Sequence, residues 1–198
     1  MVRANDKLSV LSAEAPINAP LVTDGTAFHQ LQEEMRSSFE STVIDLPRGM
    51  LIQYPHLVHD AHVTVVVVEL TLAATRDAIR ILSWLKANAP TSRVLVVANR
   101  VPASGPLEIT RKDFENSIER SIDFVIPADP KLLAQAAKLG KPLAEVASAG
   151  KVSQPLVQLA AAILAQTGDG EAGSAEGATN SLLSNLKAMM KPKPKPEK

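Results

Sequence analysis

Apolar residues fall along this chain in short β-branched runs, separated by stretches with helical spacing. Segments 8–11 (LSVL), 42–45 (TVID), 63–70 (VTVVVVEL), 93–98 (RVLVVA) and 124–126 (FVI) predict strands, because branched side chains suit extended backbone. The unbroken valines of 63–70 imply burial on both faces, the environment of a strand in the middle of a parallel sheet. Phe28, Leu31 and Met35 stand at i, i+3 and i+7 and predict a helix over 26–39. Ile79, Leu82 and Leu85 predict another over 75–87, ended near Pro90. Further helices are expected over 107–118, 130–139 and 155–166, with a short helix or loop over 53–61 and one short turn over 142–147. Strands alternating with helices at this spacing imply an α/β fold: a mostly parallel sheet with helices on both faces and right-handed crossovers.

Beyond residue 167 the pattern fails. Residues 168–180 (GDGEAGSAEGATN) hold three acids and no base, which reads as a flexible acidic linker. Leu182, Leu183, Leu186, Met189 and Met190 then form one amphipathic stripe, and 191–198 (KPKPKPEK) is an extended charged tail. The expected organisation is therefore an α/β domain over 1–167, a linker over 168–180 and a stub with its tail over 181–198. Residues 181–198 carry five Lys and one Glu. An apolar stripe beside lysines can lie on an anionic membrane surface, while ten residues also suit a frayed or partner-docking stub.

Composition narrows the chemistry. Lys plus Arg and Asp plus Glu each total 21, so the net charge is zero and no basic nucleic-acid footprint stands out. Cysteine is absent, which excludes disulfides, thiolate metal sites and cysteine nucleophiles. The polar first seven residues lack the apolar core of a signal peptide, and the longest apolar run, 63–68, is far short of the ~20 residues a bilayer span needs. A cytoplasmic protein is expected. No two glycines before Gly168 lie closer than ten residues apart, so a glycine-rich phosphate loop has no place there.

Two positions at expected strand ends carry candidate chemistry, since ligands of open α/β sheets bind at the carboxyl ends of strands. Asp45, leaving TVID ahead of Pro47, could reach a magnesium ion or simply cap the following turn. Asn99 offers a donor and an acceptor that suit an adenine edge, and equally suits a turn before Pro102. In the guanine-reading pattern Asn-Lys-x-Asp the third and fourth positions are here Val101 and Pro102, so the carboxylate that holds guanine is missing. His56, His59 and His62 recur every three residues, but His62 opens a strand and need not converge with the others. No Ser–His–Asp arrangement is indicated, because no G-x-S-x-G elbow occurs.

Taken in order, KLSVLSAEAPI, FESTVIDLPRG, HDAHVTVVVVELTLAATRDAIRILSWL, SRVLVVANR and FVIPADPKLLAQAAKLGKPLAEVASAGKVSQPLVQLA resemble the back portion of a MinD/ParA-group P-loop ATPase. The D-L-P-R at 45–48 makes the CpaE/TadZ branch, linked to assembly and polar placement of Flp (Tad) pili, the most similar. The resemblance spans about residues 7–165. It implies a Walker B role at magnesium, and hence in catalysis, for Asp45, with 46–49 as the γ-phosphate switch. It places Asn99 and Arg100 at the adenine, with Pro127 and Ala128 lining the base pocket. It further implies ATP and Mg2+ as cofactors, a homodimer, pilus assembly proteins as partners and a polar or membrane-peripheral position. The family's opening strand and phosphate loop have no counterpart in this sequence, so triphosphate binding by this chain alone is not expected. Two functions stay open: a truncated ATPase domain keeping the magnesium and adenine side, or an inactive interaction module that positions pilus machinery without nucleotide. An unrelated α/β domain is a third, weaker reading.

Overall fold

The computed structural model describes residues 1–12, 18, 24–147 and 150–165. The linker, stub and tail expected after residue 167 lie outside the described residues. The chain divides into two compact units, Met1–Tyr54 and the remainder from Pro55 on.

The first unit opens with a hairpin, β1 (Val2–Asn5) antiparallel to β2 (Leu8–Val10). The predicted strand at 8–11 thus exists, but in a separate two-stranded sheet. Its partner was not legible, because Val2 to Asn5 lacks an apolar run. Helix α1 (Gly25–Ser38) starts where Asp24 accepts the Ala27 N–H at 2.8 Å, close to the expected 26–39. None of its residues is buried. Residues 41–47 form no strand, against the expectation for TVID, and Val43 is 86% exposed. Short extension is favoured only when a neighbour takes up the backbone N–H and C=O groups, and among the described residues no ladder forms here. Helix α2 (Arg48–Gln53) follows Pro47, a residue that ends strands but also begins helices.

The second unit holds a three-stranded parallel sheet in the order β3-β4-β5, with β3 at Val63–Val68, β4 at Arg93–Val101 and β5 at Phe124–Pro127. A short helix, α3 (His56–His59), precedes it. The central strand is β4. Leu95 and Val97 point to one face and Val96 and Ala98 to the other, and all four are at most 2% exposed, so both faces are covered. β3, expected in the middle, pairs with β4 alone among the described residues, and its Val67 is 60% exposed.

The crossover helix α4 (Leu72–Asn88) packs on β3 and is capped by Thr71, whose hydroxyl accepts the Ala74 N–H. Its buried stripe is Thr75, Ala78 and Leu85. Ile79, expected on that stripe, sits one position off it and stays exposed. The second crossover, α5 (Arg111–Ser117), is shorter than the predicted 107–118 because Thr110 caps it late. Its Phe114 is fully buried. Helix α6 (Pro130–Leu139) is bounded by the Asp129 cap and by Gly140 at φ 61°, a left-handed terminus that glycine adopts without strain. The short α7 (Leu143–Val146) and α8 (Ser153–Leu164) follow, and α8 packs on β5.

β5 begins later along the sheet than β4, and two side chains fill the gap. Asp123 accepts the Val96 N–H through Oδ2 at 2.7 Å, while its own N–H donates to the Val96 carbonyl at 2.9 Å. Arg120 donates to the Val94 carbonyl. They supply partners that buried backbone groups need where strand pairing has not begun.

Candidate functional site

The carboxyl end of β4 is irregular in a way that exposes chemistry. Ala98 pairs with Val125 and Val101 with Pro127, so three steps along β4 match two along β5. The extra residue is a bulge at Asn99–Arg100, and Arg100 takes φ 55°, a left-handed conformation uncommon for a residue with a Cβ. Two contacts hold it. The Asn99 Oδ1 accepts the Arg100 N–H at 2.9 Å, and the Arg100 guanidinium meets Glu69 Oε1 at 3.1 Å, just past the end of β3. Both partners of that ion pair are largely exposed, so it steers conformation more than it stabilises the fold.

Beside the bulge, the Ala128 N–H donates to the Val101 carbonyl at 2.8 Å. Pro127 has no N–H, so neither residue of this turn offers a backbone donor to a ligand, while their carbonyls are acceptors by nature. Asn99 is half-buried, with its oxygen already engaged by Arg100 and its Nδ2 amide left as the donor end. Asn99, Arg100, Pro127 and Ala128 are therefore brought together at one sheet end. A ring with an exocyclic amine and a ring-nitrogen acceptor fits those groups: carbonyls for the amine, the Asn99 amide for the nitrogen. Adenine meets that description. Guanine would set its O6 acceptor against acceptors.

Glu108 also reaches this end of the sheet, where its carboxylate accepts the Leu72 N–H at 3.1 Å at the start of α4. Neither this bond nor the Glu69–Arg100 pair was foreseen, since both join residues about thirty positions or more apart. The one sequence signal was the acidic Glu69 closing an otherwise apolar run.

Asp45 lies in the first unit, exposed, in the stretch that forms no strand. Magnesium accepts one or two carboxylates when substrate phosphates complete its shell, so a lone Asp45 fits the ion only with a bound phosphate. Among the described residues, no group of three His, Cys, Asp or Glu side chains is placed to hold a metal. Of the His56, His59 and His62 series, His59 meets Asp60 at 3.1 Å.

A carboxylate held by two donors lies away from this sheet end. Glu115 on α5 accepts the Ile122 N–H at 2.8 Å and the Arg111 Nε at 2.9 Å, and those bonds hold its carboxyl below the usual glutamate range. Arg111 also donates to the Ile122 carbonyl, so the trio ties α5 to the turn ahead of β5.

No family model matches the sequence, and no curated protein matches it. Solved structures do. A ParA family ATPase from Chlorobium tepidum TLS superposes with a TM-score of 0.61 at 20% identity, over 70% of this chain and 56% of its own. The MinD cell division protein of Aquifex aeolicus gives 0.55 at 21% identity, over 73% and 59%. The septum site-determining protein MinD from Pyrococcus horikoshii OT3, complexed with Mg-ADP, gives 0.58 at 17%, over 71% and 56%. The fold is MinD/ParA-like. The chain spans less than two thirds of the length of the structures it matches. No helix among the described residues is long and apolar enough to cross a membrane.

Proposed function

We propose that this chain carries the adenine side of a MinD/ParA-type nucleotide site, within a CpaE-like protein of Flp/Tad pilus assembly and polar positioning. The nucleotide part rests on one observation: the Asn99–Arg100 bulge lies beside Pro127–Ala128, a pair whose one backbone N–H is already given to Val101. The pilus role rests on the sequence resemblance, above all D-L-P-R at 45–48. ATP and Mg2+ are the cofactors this reading assigns to the protein, and the magnesium role of Asp45 rests on the sequence resemblance alone. Before Gly168 no two glycines lie closer than ten residues apart, so residues 1–167 supply no glycine-rich phosphate cradle to this reading. Homodimerisation, pilus proteins as partners, and a cytoplasmic, polar or membrane-peripheral position belong to the same proposal.

Calorimetry with adenosine, guanosine and ATP tests it. Adenosine and ATP bind this chain with similar affinity, magnesium changes neither, and guanosine binds more weakly. Asn99→Ala weakens adenosine about tenfold, the worth of roughly one buried hydrogen bond. Tight ATP binding that ignores Asn99→Ala would place the nucleotide elsewhere, and indifference of that binding to Asp45→Ala would remove Asp45 from it too. The alternative, a module that positions pilus machinery without nucleotide, is favoured by the exposed, strand-free setting of Asp45. It predicts no binding of any of the three.

A further inference from the structure

Among the described residues, strand register leaves Arg100 without a paired position on either neighbouring strand. The β3–β4 ladder ends at Val68↔Ala98, and the β4–β5 ladder passes from Ala98↔Val125 to Val101↔Pro127. Strand pairing therefore does not impose the left-handed backbone of Arg100, φ 55°. A residue with a Cβ keeps such a conformation only where its surroundings hold it. Two contacts act on it. One is local: the Arg100 N–H donates to Asn99 Oδ1 at 2.9 Å. The other crosses to the next strand. Arg100 Nη1 donates to Glu69 Oε1 at 3.1 Å, and Glu69 is the first residue after β3.

The Asn99 amide couples these contacts to a ligand. Asparagine can present either its oxygen or its NH2, and the end left over depends on what engages the other. While Arg100 stays in the bulge, its N–H occupies Oδ1 and the Nδ2 end remains as a donor. Once Arg100 leaves it, Oδ1 loses that donor and the amide is free to turn and offer an acceptor. N1 of adenine requires a donor, whereas guanine carries a hydrogen on N1 and requires an acceptor. The orientation of one amide thus decides which purine is favoured.

We propose that Glu69 is a positioning residue for base selection: its ion pair holds Arg100 in the bulge, which keeps the Asn99 oxygen engaged and its Nδ2 as the end offered to the base. This rests on the adenine-side reading above and adds to it a dependence on ionic strength. Arg100 is 68% and Glu69 51% exposed, so salt reaches the pair and screens it.

Calorimetry of the full chain with adenosine and guanosine tests the role. Both ligands are uncharged, so added salt acts on the ion pair rather than on their charge. Glu69→Ala is expected to weaken adenosine about threefold, the scale of one exposed ion pair, and to narrow the preference over guanosine. Glu69→Gln keeps an acceptor for Arg100 and recovers part of the loss. Raising salt from about 0.1 M to about 1 M shortens the screening length from about 10 Å to about 3 Å. That change reproduces the Glu69→Ala effect in the wild type and does little to the variant. In an Asn99→Ala background Glu69→Ala adds nothing further, because Glu69 acts through that amide. An unchanged thermal transition in Glu69→Ala separates the effect from a general loss of fold. If the wild type binds no adenosine, the base-site reading fails and this role fails with it. Adenosine binding that falls in Asn99→Ala yet ignores both Glu69→Ala and salt overturns the role of Glu69 alone. An equal loss from Glu69→Ala with and without Asn99 overturns it as well.

Discussion

Residues 42–45 (TVID) and 93–99 (RVLVVAN) carry the same local signal, a β-branched run closed by a polar residue, yet only the second becomes a strand. The difference lies in their neighbours. β4 is flanked by β3 and β5, and Leu95 to Ala98 are packed on both faces. In the Met1–Tyr54 unit Leu51 is the one buried hydrophobic residue among those described, and Val43 and Ile44 stand exposed. Fully burying a valine or leucine stabilises by roughly 1.5–3 kcal/mol, a gain repeated through the second unit and nearly missing from the first. Strand propensity alone does not hold a segment extended. The same contrast separates the candidate residues: Asn99, Arg100, Pro127 and Ala128 sit on a packed sheet, and Asp45 does not.

The largest test of that contrast removes a core side chain. Phe114→Ala is expected to cost about 3–5 kcal/mol in the main unfolding transition, since Phe114 is fully buried. Leu31→Ala, on a helix with no buried residue, should move it by less than about 0.5 kcal/mol. Equal losses in denaturant titrations would show that the first unit shares the second one's stability.

A smaller effect is expected where side chains extend the ladder of β4. Asp123→Ala leaves the N–H of the fully buried Val96 without its acceptor, which costs about 1–3 kcal/mol. Asp123→Asn keeps an oxygen there and should recover much of the loss. If alanine and asparagine behave alike, the hydrogen bond is not what matters.

The smallest effect is one of pH. Glu115 has its carboxyl held below the ordinary value by the Ile122 N–H and by Arg111, so its contribution is complete above the unfolded glutamate range. It is lost as pH falls through the lower folded value. Glu115→Gln retains an acceptor for Ile122 but loses the charge. The variant should be less stable than wild type near neutrality and converge on it in acid. A gap that stayed constant with pH would contradict the assignment.

Much of the second unit was legible because its signals are local and mutually consistent. The valine run at 63–68 and the helices expected over 75–87 and 130–139 each mark an element near its observed bounds. Strand order was not legible. The valines of β3 suggested the middle of the sheet, while β4 holds that place through pairings that depend on distant residues. At the candidate site, Asn99 and Arg100 could be read from their position after RVLVVA. The bulge, the left-handed Arg100 and its Glu69 partner could not, because they arise from register between strands. In the first unit TVID misled for the reason given above: its pattern states a preference and supplies no partner.

The most direct measurement is a residue-resolved titration of the isotope-labelled full chain with ADP and magnesium, followed by amide chemical shifts. Concentration-dependent changes should centre on Asn99, Arg100 and Ala128, persist when magnesium is chelated, and leave Asp45 unmoved. Changes centred on Asp45 and abolished by chelation, with the β4–β5 end silent, would contradict an adenine-side site on the packed sheet.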